Sequence, residues 1–244
     1  LQWAWKNKYG VVGGAYEATF RYFTQFNNQN EQDQKFLVYA NLFPTENTYI
    51  RVTEKFEQQG ATSGSSAFEP INYFHNTVSV VVGYKATEDL VFEFGYENFD
   101  RDFSSTIARR FSYNEDKWDY RVYYQFHERL RTYTGIRLGQ VDYPKTSNRD
   151  TFYYEFPVGI EARLPSGFNI IASAGLHHRN LEQEDRNDLT HIVTNIAVRK
   201  SLNDNRTQVS GGFLRRPVES TFSTTTTYDE KLWYLDLKHL ITPK

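Results

Sequence analysis

Cysteine is absent from this 244-residue chain, so neither a disulfide framework nor a thiolate metal site can form. Long apolar runs are absent too. No stretch reaches roughly eighteen apolar residues, which excludes a membrane-spanning helix. Charge of one sign is not in excess: Lys and Arg number 28 against 30 Asp and Glu. No basic face stands out to attract a nucleic acid. No secretory leader is visible, and the chain starts Leu1-Gln2-Trp3 without Met, as expected of a product from which a leader was removed. No Gly-x-Ser-x-Gly elbow occurs, and no His stands two residues before a Ser, so the nucleophile pattern of a barrel lipase is missing. The expectation is a protein that is not an enzyme, with no cofactor and no metal.

What the chain does have is alternation. Leu90, Phe92, Phe94 and Tyr96 fall on one side of an extended segment, with Glu93 and Glu97 on the other. Trp118, Tyr120, Val122, Tyr124 and Phe126 repeat the pattern, with Asp119, Arg121 and Gln125 between them. Aromatics reach 17% of the residues, yet the mean hydropathy is −0.67. Strands with an aromatic face and a charged face separate oil from water. Together with the hydrophilic mean, this predicts a barrel with lipid outside and water inside.

Period-two segments predict about twelve strands. They lie near 14–26, 34–43, 48–58, 71–85, 90–103, 114–127, 131–143, 151–164, 168–180, 188–201, 206–216 and 228–240. Short connections alternate with long ones, as periplasmic turns alternate with outer loops. The short ones are 44–47, 86–89, 128–130, 165–167 and 203–205, and the long ones are rich in Gln, Asn, Ser, Thr and Asp. The expected architecture is all-β: a closed antiparallel transmembrane β-barrel over 14–244, preceded by an N-terminal periplasmic segment over 1–13. An even strand count would put both termini on the short-turn side. Most prolines fall in turns or at strand ends. Pro157 sits inside a strand and predicts a bulge or weakened pairing there.

The outward set includes Phe20, Tyr22, Phe36, Val82, Phe94, Tyr120, Tyr124, Phe156 and Leu235. The lumen-lining candidates are Arg21, Arg51, Glu93, Glu97, Arg121, Arg137, Glu155, Arg163 and Arg199. Inward glycines such as Gly83, Gly95, Gly135, Gly139 and Gly159 are expected to leave room for long charged neighbours. The mixed charges either fill and rigidify the interior or form a polar track for a solute. A barrel of this size lies between the side-chain-filled small barrels and the open porins, so a narrow or loop-plugged pore is expected. His177 and His178 are adjacent on a strand and point to opposite faces, so they cannot chelate one ion together. The acidic run 182–188 lacks the glycine and spacing of a calcium loop.

From about 131 to 220 the chain resembles the β-barrel porin 2 family. The residues carrying this are Gly139-Gln140-Val141-Asp142-Tyr143, Ser147-Asn148-Arg149-Asp150, the turn Leu164-Pro165-Ser166-Gly167, Ala174-Gly175-Leu176-His177-His178-Arg179-Asn180, the loop 184–188 and the hairpin 199–206. The ending Leu240-Ile241-Thr242-Pro243-Lys244 is similar to one of that family's periplasmic turns, and raises the expectation that strands are missing. The resemblance implies a protein of the bacterial outer membrane, often linked to exopolysaccharide export, with no catalytic motif to carry over. The expected function is a narrow polar conduit for exopolysaccharide or another polar solute, in contact with outer-membrane lipid and envelope export proteins. The alternative is a plugged structural barrel that anchors partner proteins.

Overall fold

A computed structural model describes residues 1–21, 31–61, 71–104, 108–146, 150–181, 188–202, 206–219 and 227–239. Thirteen strands form one sheet in which every neighbour in space is the neighbour in sequence. They are β1 (Gln2–Asn7), β2 (Gly10–Arg21), β3 (Glu31–Thr45), β4 (Thr48–Ala61), β5 (Ile71–Lys85), β6 (Leu90–Phe103), β7 (Tyr113–His127), β8 (Leu130–Asp142), β9 (Thr151–Arg163), β10 (Phe168–Leu181), β11 (Leu189–Leu202), β12 (Thr207–Glu219) and β13 (Thr227–His239). All pairings are antiparallel, and the described residues contain no α-helix.

The period-two reading located twelve of these strands, and β5 and β6 match it residue for residue. The count differs because residues 1–13 are not a segment outside the sheet. They make β1, a two-residue turn at Lys8-Tyr9, and the start of β2. The Asn7 side-chain oxygen accepts from the Tyr9 amide at 2.9 Å, which closes the turn. Gly10 follows at φ 156°, and a Cβ there would strike the Asn41 carbonyl oxygen, so only glycine fits. Twelve successive reversals leave β1 and β13 running in the same direction. Leu1 therefore lies at the long-connection end and His239 at the short-turn end, not both at the short-turn end as expected. The strand order is open: β1 and β13 are not paired with each other among the described residues.

Two irregularities follow from proline. The β8–β9 ladder skips Gly135 and Ile136, opposite Pro157 and Phe156, because Pro157 has no amide to donate. The β3–β4 register shifts between Leu42 and Thr45, around Pro44.

Register fixes two faces. Odd-numbered residues of β4 to β11 share one face, and even-numbered residues share the other. The even face is apolar and exposed: Phe94 is 51% exposed and Phe156 49%. On β13 the parity reverses, and Leu235 is 83% exposed. On the opposite face Glu93 and Glu155 are each only 9% exposed. A protein folded in water buries the apolar face of its sheet; this one displays it. Among the described residues, all the buried apolar ones but Tyr123 form two small clusters toward the long-connection end, Tyr113, Val141, Tyr143 and Tyr153, and Phe103 with Phe111.

The inward glycines serve a purpose other than the one expected. A Cβ on Gly83 would fall inside the Tyr49 ring of β4, one on Gly139 inside the Tyr153 ring of β9, and one on Gly159 inside the Tyr133 ring of β8. Each glycine is thus the seat of a cross-strand tyrosine, which covers the bare backbone. Gly135 and Gly95 do lie beside charged chains, those of Arg121 and Asp119. Gly83→Ala is expected to cost about 1–3 kcal/mol through overpacking. In a Tyr49→Ala background the same change should be close to neutral, because the ring it strikes is gone. Urea titration of the parent and the three variants measures this, and additive losses would refute the pairing.

Candidate functional site

The sheet curls so that nine consecutive strands, β4 to β12, line one cavity of about 740 Å³. A second cavity of about 440 Å³ continues along the same face and is lined by Arg51, Glu93, Tyr123 and Arg131. Arg121 and Arg137 line both, so they stand where the two meet.

The register builds a row of charges there. Arg51, Val81, Gly95, Asp119, Arg137, Glu155, His177 and His191 occupy successive paired positions on β4 to β11. Asp119 is the centre of the row. One of its carboxylate oxygens accepts from Arg121 at 2.7 Å and from Arg137 at 2.7 Å. Arg137 also donates to Glu155 at 3.4 Å, and Glu155 lies 3.5 Å from His177 Nδ1. Opposite charges thus alternate over three strands, Asp119, Arg137 and Glu155 on β7 to β9, and each partner offsets the desolvation of the next.

The neighbouring rows repeat the device. Glu93 accepts from Arg51 at 2.6 Å and from the Tyr49 hydroxyl. Lys117 bridges Glu97 and Glu115, each at 3.0 Å. Glu115 also accepts from Tyr153 at 2.6 Å. Arg131 donates to Glu161 through two nitrogens, at 2.9 and 2.6 Å.

Of the residues named from sequence, Arg51, Glu93, Glu97, Arg121, Arg137 and Glu155 lie together in this network. Arg163 and Arg199 share the face, both paired with Asn169, but stand exposed near the short turns and line neither of these two cavities. Arg21 ends β2 opposite Glu31, and its side chain lies outside the described residues. Arg199, like Arg163, therefore stands apart from the charged network that the other described residues form. His177 is 3% exposed and faces the cavity, while His178 bonds Thr190 on the opposite face at 2.9 Å. No group of three His, Cys, Asp or Glu able to hold a metal occurs among the described residues.

Sequence reading placed Asp119 between Trp118 and Tyr120 but missed Lys117 and Glu115, which continue the same odd-numbered face ahead of Trp118. It also missed the inward aromatics. Ring contacts run from Phe103 to Tyr73, His75, Phe99, Tyr113 and Tyr143, at 4.7–5.8 Å between centroids. Their position in the alternation was the available signal.

The fold and site define a curled, all-antiparallel sheet that is ion-paired within and apolar without. No family model matches the chain, and no curated protein does. Among solved structures it is similar to the toluene transporter TbuX of Ralstonia pickettii, at 8% identity and a TM-score of 0.43, over 98% of this chain and 80% of that one.

Proposed function

We propose that this chain forms the wall of an outer-membrane β-barrel whose charged interior is a narrow conduit for a polar solute, with polysaccharide as the leading class. One observation carries the reading: exposed aromatic and aliphatic side chains cover one face of the same strands whose other face holds paired charges around a cavity. Lipid is the solvent that makes such an arrangement favourable. Strands of 13–15 residues are long enough to cross a hydrocarbon layer of about 30 Å even when tilted. Inward tyrosines and amides supply hydrogen bonds and stacking surfaces for sugars.

Reconstitution into planar bilayers tests this. We expect small conductance steps that a neutral oligosaccharide reduces. A protein that stays monomeric and soluble without detergent would refute the membrane reading.

A second reading is a plugged barrel that anchors envelope partners. It is favoured by the close pairing of the interior charges and by the aromatic cluster at the long-connection end. Insertion with no conductance at all would select it.

A further inference from the structure

The larger cavity is lined by eight Lys and Arg side chains against five Glu, in a chain whose overall balance is slightly acidic. The five carboxylates are all engaged. Glu57 pairs with Lys55 and Lys35, Glu97 and Glu115 with Lys117, Glu155 with Arg137, and Glu161 with Arg131. Arg101 is different. It lines the cavity with no carboxylate partner among the described residues, and its Nε is buried without a hydrogen-bond partner. Its guanidinium instead lies 5.6 Å from the Tyr73 ring, 5.4 Å from Phe99 and 5.5 Å from Tyr113.

Rings packed around a guanidinium stabilise its charge and hold its plane without consuming its N–H groups. A planar fork held this way suits a carboxylate, which accepts two parallel hydrogen bonds from it. Tyr73 and Phe99 are only partly buried, so they offer ring faces beside the cation. Elsewhere the cavity wall carries hydroxyl and amide groups, including Thr77, Ser173 and Asn195, which match a polyhydroxylated ring better than a hydrocarbon one.

We propose that Arg101 and its aromatic collar form a binding site for a sugar acid, the carboxylate held by the guanidinium and the ring stacked on Tyr73 or Phe99. The inference deepens the conduit reading, on which its place in transport rests, and binding is measured apart from conduction so that either can fail alone.

The test is equilibrium dialysis of the full chain in detergent against labelled glucuronate, glucose and benzoate. Glucuronate should bind at least about tenfold tighter than glucose, since a charge-assisted hydrogen bond contributes about 1.5–3 kcal/mol. Arg101→Gln should remove that preference, so that glucuronate binds no more tightly than glucose. Arg101→Lys keeps the charge but loses the fork, and should retain only part of the preference. If Arg101→Gln does not fold, as read by circular dichroism, the lysine variant carries the test. Equal binding of glucuronate and glucose would overturn the proposal. So would full affinity in either variant, or an equal loss in Arg163→Gln, whose arginine lies outside the cavity. Tighter binding of benzoate would overturn the sugar assignment. Glucuronate binding that persists in a protein without conductance would sink the conduit and leave this site standing.

Discussion

Phe94→Arg should cost about 2–4 kcal/mol of folding stability in lipid vesicles, the range for a cation placed on the lipid face near mid-membrane. Phe94 lies near the middle of β6 and is half exposed on the apolar face. Leu235→Arg on β13 should behave alike, since that side chain is exposed over most of its surface. The control is adjacent: Gly95 is on the polar face beside Asp119, where a polar substituent meets the charged row instead of lipid. Urea unfolding from vesicles reads the difference. If Phe94→Arg loses no stability in lipid, the apolar face does not contact a membrane.

Arg137→Gln should be the most disruptive change on the other face. Arg137 holds Asp119 and Glu155 at once, so its loss leaves two carboxylates close together with one cation fewer. Breaking a fully buried pair costs about 3–5 kcal/mol. The side chains here keep some contact with the cavity, so about 1–3 kcal/mol is expected after allowing for solvent screening. From sequence alone, Arg121 and Arg137 are two lumen-lining candidates on separate strands, and neutralising both would be expected to shift ion selectivity toward cations and spare the fold. Their shared acceptor changes that expectation. The double variant should shift selectivity toward cations and also destabilise the sheet, and Asp119→Asn should restore much of the lost stability. A double variant as stable as the parent would mean that the Asp119 pairing contributes nothing.

Strands were legible because alternation is a local signal. Phe92, Glu93, Phe94, Gly95 and Tyr96 declare their faces within a few residues, and β6 was bounded correctly from them. β1 escaped because six residues ending in Asn7, with a turn of only Lys8 and Tyr9, are too brief for a periodicity reading; Trp3 and Trp5 were its one trace. The inner face was legible in its charges and illegible in its aromatics. Tyr49, Tyr133 and Tyr153 are the same residue type as the outward Tyr120 and Tyr124. Only the opposing glycine, on another strand, shows why an inward ring fits. The ion network failed to emerge for the same reason: which arginine meets which carboxylate is a matter of register between strands.

The shared direction of β1 and β13 has a consequence for how the sheet meets lipid. If the apolar face meets lipid, an unpaired backbone amide or carbonyl within the hydrocarbon layer costs several kcal/mol, so the outer edges of β1 and β13, unpaired among the described residues, cannot both stay bare there. Joining them directly creates a parallel seam in an otherwise antiparallel wall. Inserting a strand between them preserves the pattern, provided that strand runs against both. On the membrane reading, that seam is the line along which the backbone takes a partner, and its polarity is set by the shared direction of β1 and β13.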